Sequence, residues 1–230
     1  MILSSENKEN KFKLNINDSI ILSENSVSLL GIEIDSKLNF KNHVSAICKK
    51  ASRQLNAISR IHNYLGKKEK EILINTFVHS NFMYCPLAWH FCHKSSQNMI
   101  ENIQYRCLKL LTNDYDSDYK LLLEKTKNCT MEIRRMRTLA LEIFKTLNGL
   151  NPSFMQEIFN FSPYCSHRKN DIFVHHRNTV TYGNKSLKSL GPHVWNSLPE
   201  QIKSTKSIPI FKKFMKSWYG PNCKCRLCLL

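Results

Sequence analysis

At 230 residues, with 42% apolar and 10% aromatic side chains, the chain can bury one large core or two small ones, which excludes disorder as its default state. Lysine and arginine number 34 against 18 acids, a net charge of +16 and a pI near 9.5. That balance favours a polyanion partner, nucleic acid before membrane, because clustered bases gain from phosphate contact and counterion release, against the alternative of a soluble, merely basic protein.

The charge is unevenly spread. Residues 1–40 carry six acids and four bases, net −2, so the other 190 residues carry +18. The nine cysteines are odd in number and most sit within apolar helical patterns, so Cys48, Cys85 and Cys107 are expected as small core residues with reduced thiols. The sequence has no basic leader followed by an apolar segment and cleavage site. It also lacks an apolar run near the roughly 18 residues a span requires. An intracellular protein, in nucleus or cytoplasm, with no membrane partner is therefore expected.

The first elements have period two. Phe12, Leu14 and Ile16 alternate with polar residues, Asn17-Asp18 turn the chain, and Ile20 to Leu22 returns, which predicts a hairpin. Val27 to Ile34 predicts a third strand, with Gly31 as a bulge or a close backbone approach. Three strands alone would leave an apolar face and an edge uncovered, as in a fragment of a larger sheet.

From Asn39, the candidate N-cap, the period becomes helical. Phe40, Val44, Ile47, Ala51, Leu55 and Ile58 recur by threes and fours and predict one buried face. Lys49, Arg53 and Arg60, with Asn56 among them, project on the opposite side. The sequence holds no acid between Lys41 and Lys68. This basic stripe is the principal candidate for phosphate contact, against the alternative of an ordinary solvated face.

A second helix is predicted over Lys67 to Tyr84, with Ile72, Leu73, Phe77 and Phe82 inward, ending ahead of Pro86. Phe82 to Phe91 is apolar enough to read as bundle core. A third helix follows Ser95, with Met99, Ile103, Cys107, Leu110 and Leu111 inward, and stops near Asn113. Further helices are predicted at Ser117 to Lys127 and Thr130 to Leu147. The latter carries Arg134, Arg135 and Arg137 in its first turns, where positive charge opposes the helix dipole and suits an external anion. Asn151-Pro152 opens a short helix to Phe159, with Pro at its first position. Short strands are read at Ile172 to His175 and Thr179 to Tyr182, then a helix over Ser207 to Tyr219 bearing Lys212, Lys213 and Lys216.

The expected fold class is α+β, predominantly α-helical. Antiparallel strands occupy residues 1–36, a three-helix bundle 37–115, a helical extension 116–160, and a small irregular basic region 161–230.

Candidate metal sites are weak. Asp114 to Asp118 lacks the glycine and terminal glutamate of a calcium loop, so it reads as a turn in which Ser117 caps a helix. Cys223, Cys225 and Cys228 offer three thiolates, but a fourth ligand would have to come from Cys165, His167 or His193. A frayed tail with free thiols is the simpler reading. His175-His176 reads as strand surface, and no glycine-rich phosphate loop or nucleophile pattern occurs.

The runs Leu30-Gly31-Ile32-Glu33-Ile34-Asp35 to His43-Val44, Lys50-Ala51-Ser52-Arg53-Gln54-Leu55, and Phe82 to Trp89 with Tyr-Cys-Pro-Leu-Ala-Trp come first. Ile103 to Leu108, Arg134 to Leu139, Phe144-Lys145 with Asn151-Pro152, and Gly191 to Pro199 with Phe211-Lys212 follow in the same order. Together they resemble the C-terminal part of non-LTR, LINE-type retrotransposon reverse transcriptases over nearly the whole chain. The resemblance implies that residues 1–36 end a palm, with Gly31 near the hairpin that grips the primer end. It also implies that the helices of 39–113 form a thumb. Lys49, Lys50, Arg53 and Arg60 would then face the backbone of RNA or an RNA/DNA duplex without reading bases, with Arg134, Arg135 and Arg137 as further contacts.

That family holds two Mg²⁺ ions on an aromatic-x-Asp-Asp turn and an upstream Asp. This sequence contains no Asp-Asp pair, so no catalytic residue carries over and no cofactor is expected on this chain. In family order the turn precedes Met1, which makes a missing N-terminal polymerase part an expected partner. Three readings follow. The chain is a truncated reverse transcriptase, the C-terminal portion of a complete polymerase, or a protein-binding scaffold that uses an exposed Phe82 to Phe91.

Overall fold

The computed structural model describes residues 13–17, 19–159, 171–172 and 186–221. It is mostly helical, with two small antiparallel strand pairs, and its chain forms two compact units. Unit 1 comprises residues 1–85 and 89–126, and unit 2 residues 86–88 and 127–230. The division thus falls at Thr126, inside the segment expected as a helical extension.

In unit 1, β1 (Lys13–Ile16) pairs with β2 (Ser19–Leu22). β3 (Ser26–Leu29) pairs with β4 (Ile32–Asp35). The single strand expected over Val27 to Ile34 is therefore two, folded back at Leu30-Gly31. Both turn residues have positive φ, 49° and 79°, the combination that matches a two-residue loop to strand twist. Gly31 is accordingly a turn residue and not a bulge. Leucine there carries strain that glycine does not, and the Tyr84 hydroxyl donates to the Leu30 carbonyl at 2.8 Å, bracing the tip. No three-stranded sheet forms among the described residues.

The chain enters α1 (Lys41–Ile61) through the carboxylate of Asp35, not through Asn39. Asp35 Oδ1 accepts from the Lys37 and Asn39 amides, both at 3.1 Å, and Oδ2 from Phe40 N–H at 2.6 Å. Three otherwise orphaned donors meet one anion near the helix start, where the dipole also favours negative charge. Phe40, at the N-cap position, takes the left-handed conformation and no side chain caps the amides of the helix itself, so Asp35 binds the turn that leads into α1.

Val44, Cys48, Ala51, Leu55 and Ile58 are buried along one face of α1, with Ile47 half-buried at its margin. This face packs against α5 (Lys94–Thr112) and against the helical rod from Lys67 to Met83. The rod is α2 (Lys67–Leu73), a π-helical stretch over Ile74–His79, and α3 (Ser80–Met83). The wide π turns rotate the inward set to Ile74, Val78 and Phe82, leaving Ile72 and Phe77 exposed, contrary to the uniform helical expectation. The Asn81 amide donates to the Phe77 and Val78 carbonyls that the widened turn loosens, and reaches Gln54 of α1 at 2.7 Å. Buried His79 links Asn75 to Gln104 of α5.

In α5 the inward residues are Ile100, Ile103, Cys107, Leu108 and Leu110, while Met99 turns outward. Cys48 and Cys107 are core thiols as expected, but Cys85, in a left-handed turn ahead of α4 (Pro86–Trp89), is exposed. Beyond Asn113 the chain turns on Asp114, whose carboxylate accepts from Ser117 N–H, Ser117 Oγ–H and Lys125. Those bonds hold the carboxyl well below its ordinary pKa, the Lys125 ammonium contributing most. Ser117 thus bonds Asp114, two residues ahead of α6 (Tyr119–Thr126).

Unit 2 is built on α7 (Met131–Leu147), which Thr130 caps by accepting from Ile133 N–H. α8 (Ser153–Gln156) begins after Pro152, which occupies the cap position and not the first turn. α9 (Leu187–Asn196), α10 (Glu200–Lys203) and α11 (Ile208–Met215) complete the unit. Phe144, Trp195, Phe211 and Trp218 form its aromatic core, Phe144 and Phe211 stacking at 4.4 Å. Gly191 lies so close to the Phe159 ring that a Cβ would approach it to 2.7 Å. Of the two late strands only Ile172 is described; the Asn196 amide bonds its N–H and C=O, both at 2.9 Å, as a strand neighbour would. The rest of those strands, His175-His176, Cys165, His167 and the terminal cysteines lie outside the described residues.

Two outcomes follow for unit 1. Asp35→Ala is expected to cost about 1–3 kcal/mol of stability in urea denaturation, because the Lys37, Asn39 and Phe40 amides lose one charged acceptor together. The second concerns His43, whose imidazole burial pulls below its ordinary pKa while the Glu33 carboxylate opposes the shift. His43 Nδ1 accepts from Glu33 N–H at 3.4 Å, a role open only to an unprotonated nitrogen. With the folded pKa below the ordinary imidazole value of 6.5, the unfolded chain binds the proton more readily. Stability is whole above that pH and falls as pH drops through the folded pKa. His43→Gln is expected to flatten this limb in denaturation curves taken across mildly acidic pH.

Candidate nucleic-acid interface

Because the apolar face of α1 is committed to the core, the opposite face is exposed, and Lys49, Lys50, Arg53 and Arg60 all lie in solvent. Steps of four, three and four residues align Lys49, Arg53, Asn56 and Arg60 along one stripe. Lys50 stands beside it, turned by about 100°. Among the described residues none of the four bases forms an ion pair, and α1 contains no acid of its own. The positive charge is therefore uncompensated locally.

A fifth base joins the stripe from another helix. Arg106 of α5 is exposed, and its guanidinium donates to Asn56 Oδ1 at 2.8 Å and to Ser52 Oγ at 3.3 Å. Sequence reasoning does not single out Arg106. Three residues from Ile103 and four from Leu110, it falls at the margin of the apolar stripe, and its exposure and its reach to α1 depend on helix packing that local periodicity does not carry. Lys109, one turn on, sits 4.3 Å over the Tyr105 ring.

Gly31 is the tip of the β3–β4 hairpin and is exposed. The aromatic segment behind it is split: Phe82 and Trp89 are fully buried, whereas Met83 and Tyr84 are exposed. Phe82 to Phe91 is therefore part core and part surface, with Met83, Tyr84 and Cys85 exposed in succession.

The three arginines of α7 belong to unit 2. Arg135, expected to face an anion, is instead buried at 1% exposure, so phosphate contact at that side chain is corrected to a core position. The signal is present in the sequence, since Met131, Arg135, Leu139 and Ile143 follow one another by fours along the apolar stripe. Arg134 donates to Asn128 Oδ1 at 2.9 Å. Arg137 donates through Nε and Nη2 to the Trp218 carbonyl, at 2.9 and 2.7 Å, and its guanidinium lies over the Tyr219 ring. It fastens the end of the described chain to α7. In the same unit Lys203 and Asp171 form a buried ion pair at 2.6 Å.

No group of three or more potential metal ligands occurs among the described residues. No described helix is long and apolar enough to cross a membrane. No family model, curated protein or solved structure matches the chain.

Arg137→Ala is expected to lower stability by about 1.5–3 kcal/mol, the range for hydrogen bonds to a charged group, because two such bonds disappear together. Urea denaturation followed by tryptophan fluorescence would register it, with Trp218 as the nearby reporter.

Proposed function

We propose that this chain grips the phosphate backbone of RNA or an RNA/DNA duplex through the exposed face of α1, as the thumb-bearing part of a non-LTR reverse transcriptase, the Asp-Asp pair of the polymerase not being among these 230 residues. The observation that carries the reading is the stripe of Lys49, Arg53 and Arg60, solvent-facing, acid-free and backed by a core face that is apolar from Val44 to Ile58. A helix with this division can lie along a duplex without exposing its packing surface. Its bases meet phosphate as charges and donors, a contact that positions nucleic acid and reads no sequence. Lys50 lies at the margin of the same surface, and the Leu30-Gly31 tip is the second element the family resemblance assigns to the duplex. The three arginines of α7 contribute little to this reading because they serve unit 2 itself.

A second reading is favoured by the exposed apolar side chains of β1 to β3, including Leu14, Ile16, Ile20 and Leu29. In it the chain is the C-terminal portion of a complete polymerase whose remaining palm covers these strands. An open upstream frame encoding an aromatic-x-Asp-Asp turn would favour the complete enzyme; stops or frameshifts would favour the truncated one.

Anisotropy titrations of short labelled RNA and RNA/DNA duplex at rising salt test the grip. Affinity is expected to fall steeply with salt. Changing Lys49, Arg53 and Arg60 together to glutamine is expected to reduce the log–log salt slope by about two to three, close to one unit for each phosphate no longer neutralised. Binding that ignores salt, or no binding, removes the reading.

A further inference from the structure

We infer that Arg106 is a phosphate-anchoring residue of the same surface, held ready by Ser52 and Asn56, so that the interface is a two-helix seam and not one helix face. The inference rests on the reading of α1 as phosphate-facing.

Three observations carry it. Arg106 leaves α5 and reaches α1 at Asn56, the one uncharged member of the stripe between Arg53 and Arg60. Both acceptors that hold it, an amide oxygen and a hydroxyl, are neutral, so the guanidinium keeps its full charge where a carboxylate would have cancelled it. Two of its five N–H donors are committed, which leaves three for an incoming phosphate.

Exposed arginines ordinarily lose rotamer freedom on binding. Here two hydrogen bonds have already limited that freedom, and the planar fork is matched to paired phosphate oxygens in a way a lysine ammonium is not. Ser52 and Asn56 are thus positioning residues: they touch the arginine and need not touch the ligand. Their spacing, one α-helical turn apart, lets a single guanidinium span both. The ligand class is the phosphodiester backbone of a duplex, since a base is fixed in the seam between two helices and flanked by a line of bases on one of them.

The test uses the full chain and a short fluorescent RNA/DNA duplex across a salt series. Arg106→Gln is expected to weaken binding about tenfold, a charged hydrogen-bond contribution, and to lower the salt slope by about one. Ser52→Ala with Asn56→Ala leaves every charge in place. It is expected to weaken binding severalfold with the slope unchanged, and to add nothing in the Arg106→Gln background. Arg106→Lys should keep the slope but not the affinity. Wild-type slope and affinity in Arg106→Gln, with loss only in the Lys49, Arg53 and Arg60 variants, overturn the inference and leave the α1 reading standing. Absence of salt-steep binding in the unaltered chain overturns both. The double alanine variant keeps the inference falsifiable should Arg106→Gln fold poorly.

Discussion

The carboxylate of Asp35 governs how unit 1 is assembled, because it ends the strand, collects the amides of the turn and sets where α1 begins. Oxygen atoms of one side chain reach Lys37, Asn39 and Phe40. The last strand and the first helix are thereby joined by a short, fully bonded corner. From that corner the rotation of α1 about its own axis follows. Val44, Ala51 and Leu55 meet α5 and the Lys67 to Met83 rod, and the bases are left outside. Nothing in the stripe itself needs to specify that outcome.

The core face of α1 and its basic face are therefore one design seen from two sides. Apolar burial supplies the energy at roughly 25 cal/mol per Å² of surface removed from water. The exposed bases supply none of it, and so are free to answer to something other than folding. The opposite holds on α7, where Arg135 sits among Met131, Leu139 and Ile143 and Arg137 binds the chain end. Two helices with similar basic composition thus use arginine in different ways, one for solvent and one for internal cohesion. Composition alone does not separate them; position on the apolar stripe does.

Local periodicity in the sequence is a good guide to α1 and α5, whose helical repeats are long and uninterrupted. The hairpin at Asn17 is likewise legible from alternation and turn chemistry. Periodicity is a poorer guide where backbone geometry departs from the regular: Leu30 in a turn favouring Asn or Gly conceals the β3–β4 hairpin, and the π turns move Phe77 outward and Val78 inward. The Asp35 turn escapes a sequence reading because its side chain acts across as many as five residues, on amides that precede the helix. Arg106 escapes it for a related reason, its partners Ser52 and Asn56 lying far away in sequence on another helix. Contacts of that kind belong to packing, and period says nothing of them.

The acid-free length of α1 has a cost that the free protein carries at all times. Lys49 and Arg53 stand one turn apart, Arg60 follows two turns on along the same line, and Arg106 is held against Asn56 between them, so like charges face one another at roughly 6–10 Å with no acid of α1 among them. This surface is under electrostatic tension. Added salt relaxes that tension by screening the bases from one another, while the same ions weaken any attraction to a polyanion. Ionic strength therefore acts on the protein twice and with opposite signs, steadying the empty surface as it loosens the occupied one.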